Sequence, residues 1–286
     1  MKQFLAYIMK KLNQILEKNW IVGFIDGDGY FGLEKVVVKT NQNRRVYYKP
    51  VLSITQKDPK VLYKIKRTLL VGSVKSRKTD GYFHYRVRSK QLWSKNIIPF
   101  FNELTFHTNK QTQFNLLKKA VLFLETRYDS LNEQHEQFLD NLTHQMRESK
   151  ILYNSTLDID LAWFVGFFEA EGCFYIGISN NNVKFQFKIT QANPILLEKI
   201  KNFLNCGNIF LERPGIYSYD ISKRDDIFEK IVPIFQQVKL KSSKKWEYVK
   251  WLKALRLVKN KRRLTEEEFN KIVKIKQHFR KLDLKI

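Results

Sequence analysis

Two short stretches of this sequence place paired acidic residues in the same local pattern. Asn19 to Glu34 reads NWIVGFIDGDGYFGLE, and Ala162 to Gly177 reads AWFVGFFEAEGCFYIG. In each, a Trp opens an apolar run that contains one Gly, and the run ends in two carboxylates on either side of a small residue. Because the run lacks strand alternation and a Gly follows the acids, the pattern predicts a short helix followed by a strand.

The last acid of each stretch, Asp28 or Glu171, is the candidate metal ligand. Gly23 and Gly27 stand at i and i+4 in the first stretch, and small residues at this spacing let two helix backbones approach closely. If the two stretches pack on each other through that face, their acids emerge at one end and repel unless a cation lies between them. Oxygen ligands favour a hard cation, which predicts Mg²⁺. The competing interpretation, that each acidic pair only caps a helix end, fits one copy better than two matched copies.

The charge of the chain predicts a polyanionic partner. Lys and Arg number 52 against 28 Asp and Glu, which gives a formal net charge of +24 on a chain with 43% hydrophobic residues. Such a surplus on a folded chain favours nucleic acid. A membrane is disfavoured because apolar runs such as 20–25 are far below spanning length, and the N-terminal MKQFLAYIMKKL is a poor signal peptide that predicts an amphipathic helix. Two cysteines exclude the disulfide framework of small secreted proteins and predict a reducing compartment.

The two halves of the chain repeat one order of local patterns. Residues 54–59, ITQKDP, are echoed by residues 189–194, ITQANP, and further matches follow in the same order at nearly constant spacing. Ordered matches of this kind indicate a duplicated domain. We predict an α+β fold of two pseudosymmetric αββαββα halves with antiparallel sheets. The predicted boundaries are 1–127 for the first half, 128–158 for a linker, 159–258 for the second half and 259–286 for a C-terminal helical extension that begins with a capping box at Thr265.

Long polar residues alternate with apolar residues along several predicted strands. In the second half, Phe185, Phe187 and Ile189 alternate with Lys, Gln and Thr, so one face is apolar and the other carries side chains that reach base edges and phosphates. An ordinary half-solvated sheet also alternates, but acids are scarce among these outward residues. A twisted antiparallel sheet with a basic face fits a duplex groove. The expected DNA contacts are Tyr30, Ser53, Thr55, Lys75, Arg77, His84, Arg86, Arg88, Tyr175, Ser179, Lys184, Gln186, Lys188 and Thr190.

The sequence resembles the double-motif LAGLIDADG homing endonucleases. Residues 21–29, IVGFIDGDG, match the first motif, and residues 164–172, FVGFFEAEG, match the second. The resemblance covers nearly the whole chain and implies a monomer whose motif helices form the shared interface of two pseudosymmetric halves. It implies that two four-stranded sheets form a saddle over double-stranded DNA. It also implies Mg²⁺-dependent cleavage of both strands at a long target, with Mn²⁺ expected to substitute and Ca²⁺ expected to bind without supporting cleavage.

The resemblance also assigns roles to individual residues. Asp28 and Glu171 are expected to bind metal and orient the attacking water, with the carbonyls of Gly27 and Ala170 as further ligands. The other functional residues come in pairs, one from each half. They are the water-holding glutamines Gln56 and Gln191 and the active-site lysines Lys110 and Lys244, for which Thr108 and Lys241 are alternatives. The first acids of the motifs, Asp26 and Glu169, are expected to be structural or to cap helices.

The leading functional prediction is therefore a site-specific, intron-homing DNA endonuclease that acts as a monomer. Proteins of the family that this sequence resembles also act as RNA maturases, which assist the splicing of their host intron and make host intron RNA the alternative partner. A non-cleaving DNA-binding protein of the same fold would explain the charge and the strands but not the paired acids. Richness in Lys, Asn and Ile predicts an AT-rich genome and hence a mitochondrion or a chloroplast.

Overall fold

The structure is a computed structural model that describes residues 15–39, 44–126, 131–149, 155–179, 182–259 and 263–279. Contacts divide the chain into two units, Met1–Leu157 and Asp158–Ile286. An amphipathic helix is predicted for MKQFLAYIMKKL at the N-terminus. These residues belong to the stretch 1–14, which lies outside the described part of the chain. Within the described part of the chain, no helix is both long and apolar enough to cross a membrane.

The first unit contains one four-stranded antiparallel sheet, with the strand order β1-β2-β4-β3. Its elements are α1 (Lys18–Asp28), β1 (Gly29–Lys39), β2 (Arg44–Gln56), α2 (Pro59–Leu69), β3 (Ser73–Ser76), β4 (Phe83–Val87), α3 (Lys90–Leu92), a π-helical segment (Trp93–Ile97), α4 (Ile98–Phe101), α5 (Lys110–Glu125) and α6 (Glu133–Glu148). The predicted αββαββα order is confirmed for this half. The helical region that follows β4 is divided by the π-helical segment.

The second unit repeats this topology, with the strand order β5-β6-β8-β7. Its elements are α7 (Leu161–Glu171), β5 (Gly172–Ser179), β6 (Asn182–Gln191), α8 (Pro194–Leu204), β7 (Asn208–Arg213), β8 (Ile216–Ile221), α9 (Arg224–Asp226), a π-helical segment (Ile227–Ile231), α10 (Val232–Gln237), α11 (Lys244–Leu257) and α12 (Glu266–His278). The capping box predicted at Thr265 is present at the start of α12. The predicted α+β fold with a duplicated half is therefore confirmed.

Each motif helix passes into the first strand of its unit without a loop. Gly29 and Gly172 stand at these two junctions, and both have ordinary extended backbone angles. A Cβ at Gly29 would lie 2.5 Å from the side chain of Ile25, and a Cβ at Gly172 would lie 2.0 Å from the ring of Phe168. Glycine is therefore required here because the strand folds back closely on the helix. The second motif acid is the last residue of its helix, so this corner fixes its position.

Aromatic side chains fill the space between each sheet and its helices. In the first unit, the ring of Phe31 contacts Trp93, Phe106 and Phe114 with centroids 5.4 to 5.9 Å apart. The equivalent cluster of the second unit consists of Phe168, Phe174, Phe187, Phe235 and Trp251. All these rings are buried, and large aromatic side chains contribute strongly to core stability. Packing of one face of each sheet against such a core leaves the alternate residues on the opposite face.

Helix α6 packs on the first unit, although it lies within the stretch predicted as a linker. Glu136 accepts two 2.8 Å hydrogen bonds from the guanidinium of Arg44, and the ammonium of Lys35 lies 3.2 Å from the same carboxylate. Lys35 also lies 2.6 Å from Asp140, which accepts a 2.7 Å hydrogen bond from the hydroxyl of Tyr48. The Arg44 hydrogen bonds hold the pKa of Glu136 below its ordinary value, and burial raises the pKa of Tyr48 to about 12. These contacts tie α6 to β1 and β2.

We expect Glu136→Gln to lower the melting temperature by on the order of 5 °C, because it removes charged hydrogen bonds from a mostly buried carboxylate. A carboxyl whose pKa is lowered by folding stabilises the protein above its unfolded pKa, and that stabilisation is lost as the pH falls through the folded pKa. The difference between the variant and the parent protein should therefore be largest at neutral pH and shrink in acid. Thermal unfolding at several pH values measures it.

Glu148→Gln is the matched control for this prediction, because Glu148 is exposed at the other end of α6. Its melting temperature should stay near that of the parent protein. Equal melting temperatures for Glu136→Gln and the parent at neutral pH would contradict the anchoring of α6 by this ion pair.

Candidate active site and nucleic-acid interface

Each unit holds the second acid of its motif against a glutamine at the end of a strand. Asp28 ends α1, and its Oδ2 accepts a hydrogen bond from Nε2 of Gln56, the last residue of β2. Glu171 ends α7, and its Oε1 lies 3.5 Å from Nε2 of Gln191, the last residue of β6. All four residues are partly exposed. The predicted partners are therefore brought together within each unit, at equivalent places.

The first acid of the first motif is buried and bound by backbone donors. Asp26 is 3% exposed, and its carboxylate accepts hydrogen bonds from the N–H of His107 at 2.7 Å and the N–H of Thr108 at 3.2 Å. The Thr108 hydroxyl donates to the same carboxylate and accepts a 3.2 Å hydrogen bond from the N–H of Lys110, the first residue of α5. Desolvation of a carboxylate is costly unless such donors replace water. Asp26 thus connects α1 to the start of α5.

The second unit repeats this arrangement with a different acid. Glu169 is 4% exposed and accepts hydrogen bonds from the N–H of Lys241 at 2.9 Å and the N–H of Ser242 at 2.6 Å, and also from the Ser242 hydroxyl. That hydroxyl accepts a 3.3 Å hydrogen bond from the N–H of Lys244, the first residue of α11. An acid close to a helix N-terminus is also favoured by the helix dipole. These contacts agree with the structural role predicted for the first acid of each motif.

The two predicted lysines occupy equivalent positions at the start of α5 and α11. Lys244 Nζ donates a 2.7 Å hydrogen bond to the carbonyl of Gly172, which directly follows Glu171. A cation therefore lies at the residue that follows the second acid of its own unit, and it is also 3.8 Å from the carboxylate of Glu247. The N–H of Lys110 donates to the hydroxyl of Thr108, just as the N–H of Lys244 donates to the hydroxyl of Ser242. The two alternatives lie at the first acids, with Thr108 bound to Asp26 and the N–H of Lys241 bound to Glu169.

Oxygen donors are present at the end of each motif helix. Gly27 and Ala170 belong to the last helical turn, where backbone carbonyls have no intrahelical donor. Together with Asp28 or Glu171 they form an oxygen-only donor set, which suits a hard divalent cation. In the described ranges, no group of three or more His, Cys, Asp or Glu side chains could hold a metal ion. A cation at either helix end would therefore also need oxygens from the backbone, water or substrate.

The outward face of the first sheet is cationic. His84 and Arg86 lie on this face of β4, and Lys75 of β3 is paired directly with His84. The Nε of Arg86 lies 3.4 Å from the hydroxyl of Ser53 on β2. Burial, reinforced by Arg86, Arg77 and Lys75, lowers the pKa of His84. The lowered pKa favours the neutral imidazole, which has one nitrogen that donates and one that accepts hydrogen bonds.

The remaining predicted contacts of the first unit are wholly or partly exposed: Tyr30, Thr55, Arg77 and Arg88. Two of them already have acidic partners. Arg77, just after β3, forms a 3.0 Å ion pair with Asp80, and Arg88, just after β4, pairs with Glu34. Exposed ion pairs of this kind contribute little stability and exchange readily. These arginines can therefore change partner when a phosphate approaches.

The outward face of the second sheet combines polar residues with acids. Nε2 of Gln186 donates a 3.1 Å hydrogen bond to Asp220 on β8. Nζ of Lys188 lies 3.2 Å from Glu212 on β7, and the Thr190 hydroxyl lies 3.3 Å from the same carboxylate. The other predicted contacts of this unit are exposed at its surface: Tyr175, Ser179 and Lys184. The expected scarcity of acids is therefore wrong for this face.

The alternation of residues along a single strand does not indicate Asp220 and Glu212. β7 and β8 bring these acids beside β6, and strand pairing of this kind is not visible in local sequence. One signal was nevertheless available. The sequence His-Tyr-Arg at residues 84–86 has its counterpart in Ser-Tyr-Asp at residues 218–220, which reverses the charge at one position of the repeat.

The chain is similar to known proteins over most of its length. The model of the LAGLIDADG endonuclease family matches residues 21–121 and 164–255. "Probable intron-encoded endonuclease 2" of Neurospora crassa is 28% identical over 91% of this chain and 64% of its own length. "Probable intron-encoded endonuclease Cox1-I1b" of Schizosaccharomyces pombe is 32% identical over 65% of this chain and 48% of its own length. The chain therefore spans about half to two thirds of the length of these two relatives.

Another relative carries a different functional name. "Intron-encoded RNA maturase bI4" of Saccharomyces cerevisiae is 26% identical over 76% of this chain and 31% of its own length.

Solved structures of similar proteins contain DNA. "I-SmaMI bound to uncleaved DNA target in the presence of Calcium ions" has a TM-score of 0.81 at 26% identity and covers 92% of this chain and 98% of its own. The complex of the same protein with cleaved DNA has a TM-score of 0.78 at 26% identity and covers 92% of this chain and 96% of its own.

We expect Asp26→Asn to reduce the unfolding free energy by about 1.5–3 kcal/mol, because hydrogen bonds to a buried charged acceptor are lost. Glu169→Gln should have an effect of similar size in the second unit. Urea denaturation followed by circular dichroism measures both. Asp80→Asn is the control: it breaks an exposed ion pair with Arg77, keeps an oxygen that can accept from the N–H of Tyr82, and should change stability by less than about 1 kcal/mol. Full stability of Asp26→Asn would contradict the structural role of this acid.

Proposed function

The chain belongs to the LAGLIDADG endonuclease family, and we propose that it is a site-specific endonuclease that hydrolyses phosphodiester bonds in double-stranded DNA. The observation that carries this proposal is the repeated corner, in which a carboxylate ending the motif helix meets a glutamine ending a strand. The same strands carry the polar faces that suit DNA. Relatives named as intron-encoded endonucleases and solved complexes of a similar protein with uncleaved and cleaved DNA support it.

We propose that Asp28 and Glu171, with the carbonyls of Gly27 and Ala170, hold divalent metal, and that Mg²⁺ is the physiological ion. Such a bound ion lowers the pKa of water and neutralises charge on phosphoryl oxygens. Mn²⁺ should substitute because it accepts the same oxygen ligands. Ca²⁺ should bind without supporting cleavage, and the I-SmaMI complex with uncleaved DNA and calcium supports this proposal by similarity.

The chain's own residues position the reaction. Gln56 and Gln191 orient the carboxylates beside them, and each has a second amide hydrogen with which to hold a water molecule. The ammonium of Lys244 binds the carbonyl of Gly172, the residue after Glu171, and a positive charge there would stabilise the negative charge that develops during phosphodiester hydrolysis. Lys110 is proposed for the same role in the first unit because it occupies the equivalent helix position.

The two sheets are the proposed DNA-binding surfaces of a protein that acts as a monomer. The formal net charge of +24 supports binding to phosphates, and the outward residues of β2, β4 and β6 support contacts with base edges. The gene is proposed to lie in a mitochondrial intron, because one relative is named after a cox1 intron product and another as a mitochondrial protein. Neither name supports the chloroplast alternative.

A maturase role is the second candidate, and the relative named as an RNA maturase is the observation that favours it. Both functions can coexist in one chain. A splicing assay with the host intron RNA tests it: the purified protein should accelerate splicing, and Asp28→Asn should retain that effect because the acid is not needed to hold RNA. Equal splicing with and without the protein would refute this candidate.

The endonuclease proposal predicts that Asp28→Asn reduces cleavage of the uninterrupted gene locus by about 100-fold or more while binding to the same DNA is retained. The reason is that the amide loses the negative charge that holds metal, whereas the sheets are unchanged. Glu171→Gln should behave in the same way. Cleavage with Mg²⁺ and mobility-shift binding with Ca²⁺ are the two measurements.

Asp225→Asn removes the same charge from an exposed position on α9 and should leave cleavage unchanged. If the parent protein with Mg²⁺ cuts neither its own locus nor a randomised duplex library but still binds DNA, the non-cleaving alternative is correct. Full cleavage by Asp28→Asn would show that this acid is not a metal ligand.

A further inference from the structure

The two sheets carry opposite charges at one equivalent position of their outward faces. Tyr85 of β4 and Tyr219 of β8 identify the equivalence, because each is fully buried and donates its hydroxyl to the backbone carbonyl just before a glycine, at 2.9 Å and 2.6 Å. The residue after the tyrosine is Arg86 in the first sheet and Asp220 in the second. Arg86 is paired with a serine on each neighbouring strand, and Asp220 with a lysine and an asparagine.

The neighbouring pair of opposite residues also carries more positive charge in the first sheet than in the second. In the first sheet, Lys75 of β3 lies directly opposite His84 of β4. At the equivalent place in the second sheet, Phe210 of β7 lies opposite Ser218 of β8. A cationic row is therefore replaced by a neutral one. The change at Asp220 is thus part of a different chemical surface on the same scaffold.

Asp220 is held in a defined orientation by neutral donors. Its Oδ1 accepts a 2.6 Å hydrogen bond from the Ser218 hydroxyl, and its Oδ2 accepts a 3.1 Å hydrogen bond from Nε2 of Gln186. Lys188, although directly opposite Asp220 in register, forms its ion pair with Glu212 at 3.2 Å. A carboxylate has about four lone-pair positions, so two protein donors leave capacity for a further donor. Asp220 can therefore accept a further hydrogen bond from a ligand.

A carboxylate on a DNA-binding face is repelled by phosphates, so its favourable contacts are with the bases. In the major groove, Asp and Glu accept hydrogen bonds from the amino group of cytosine, and Gln binds adenine through its amino group and N7. Arginine offers only donors and favours the O6 and N7 acceptors of guanine. The charge difference between Asp220 and Arg86 thus corresponds to a difference in the bases that each side chain can bind.

We propose that Asp220, with Gln186 held against it, determines specificity by selecting a base that presents an amino group in the major groove, adenine or cytosine. This inference rests on the proposed DNA-binding function. Arg86, at the equivalent position, selects guanine in the half-site bound by the first sheet.

Base preference in duplex binding tests this proposal. A site selected by the parent protein from a randomised duplex library, in Ca²⁺, is replaced one base pair at a time, and relative affinities are measured for the parent and for Asp220→Asn. In Asp220→Asn, the ratio of the affinities for the preferred base and the other bases should fall by about fivefold or more at one base pair. The preferences at all other base pairs should be kept. Asp220→Arg should favour guanine at that same pair. Asp225→Asn, the charge-matched control on α9, should leave every preference unchanged.

Gln186→Ala is a second variant that tests the proposal without altering the acid. It should weaken the base preference at the same base pair. The loss of preference in the double variant with Asp220→Asn should be smaller than the product of the two single losses, because the residues act as one unit. A uniform loss of affinity for all sequences in both variants would show that the pair is only structural and would overturn the proposal. A parent protein that binds no duplex refutes the proposed function instead, whereas a specific parent with unchanged preferences in both variants refutes this inference alone.

Discussion

A buried carboxylate has to replace its lost hydration with hydrogen bonds, and this requirement organises both units. Residues two apart on an α-helix point about 200° away from each other, so the two acids of a motif cannot face the same side. Asp26 faces inward and binds the backbone before α5, as Glu169 does before α11. Asp28 and Glu171 are left at the helix end, where they are partly exposed. One motif thus provides both a structural anchor and the proposed metal ligand.

The anchor also places the candidate lysines. Each first acid binds a hydroxyl residue, Thr108 or Ser242, that in turn accepts from the N–H of the first residue of the next helix. In the second unit that residue is Lys244, and its ammonium reaches the carbonyl beside the second acid. The chain of contacts therefore runs from the first acid to the second through a separate helix. Preorganisation of a polar site depends on such supporting contacts, because they hold the orientation of the functional side chains.

Features that depend on local sequence could be predicted, and features that depend on pairing between distant segments could not. The motif helices, the hairpins and the capping box at Thr265 follow from residues near to each other in the chain, and they were found. The glutamines at the ends of β2 and β6 also sit where expected. The anchoring of α6 by Glu136 and Arg44 joins segments that are 92 residues apart, so no periodicity indicates it. The acids Asp220 and Glu212 were missed for the same reason. The sequence also left Lys241 and Lys244 as alternatives for the active-site lysine. They differ only in the structure, where Lys241 binds Glu169 through its backbone N–H and Lys244 binds the carbonyl of Gly172 through its side chain.

Duplication followed by divergence explains why the two sheets differ in charge while the two corners keep the same arrangement of acids and donors. The corner tolerates little change, because Gly29 and Gly172 leave no room for a Cβ and the buried acid needs every donor it has. The outward face of a sheet has no such restriction, since its side chains alternate away from the core and can vary without disturbing the strands. Reversal of charge between Arg86 and Asp220 therefore costs the fold little. In the proposed DNA-binding function, the net positive charge supplies attraction to any duplex, whereas the acids would add selectivity by making the wrong base unfavourable. A repeated scaffold can in this way keep one chemistry while its two halves come to recognise different sequences.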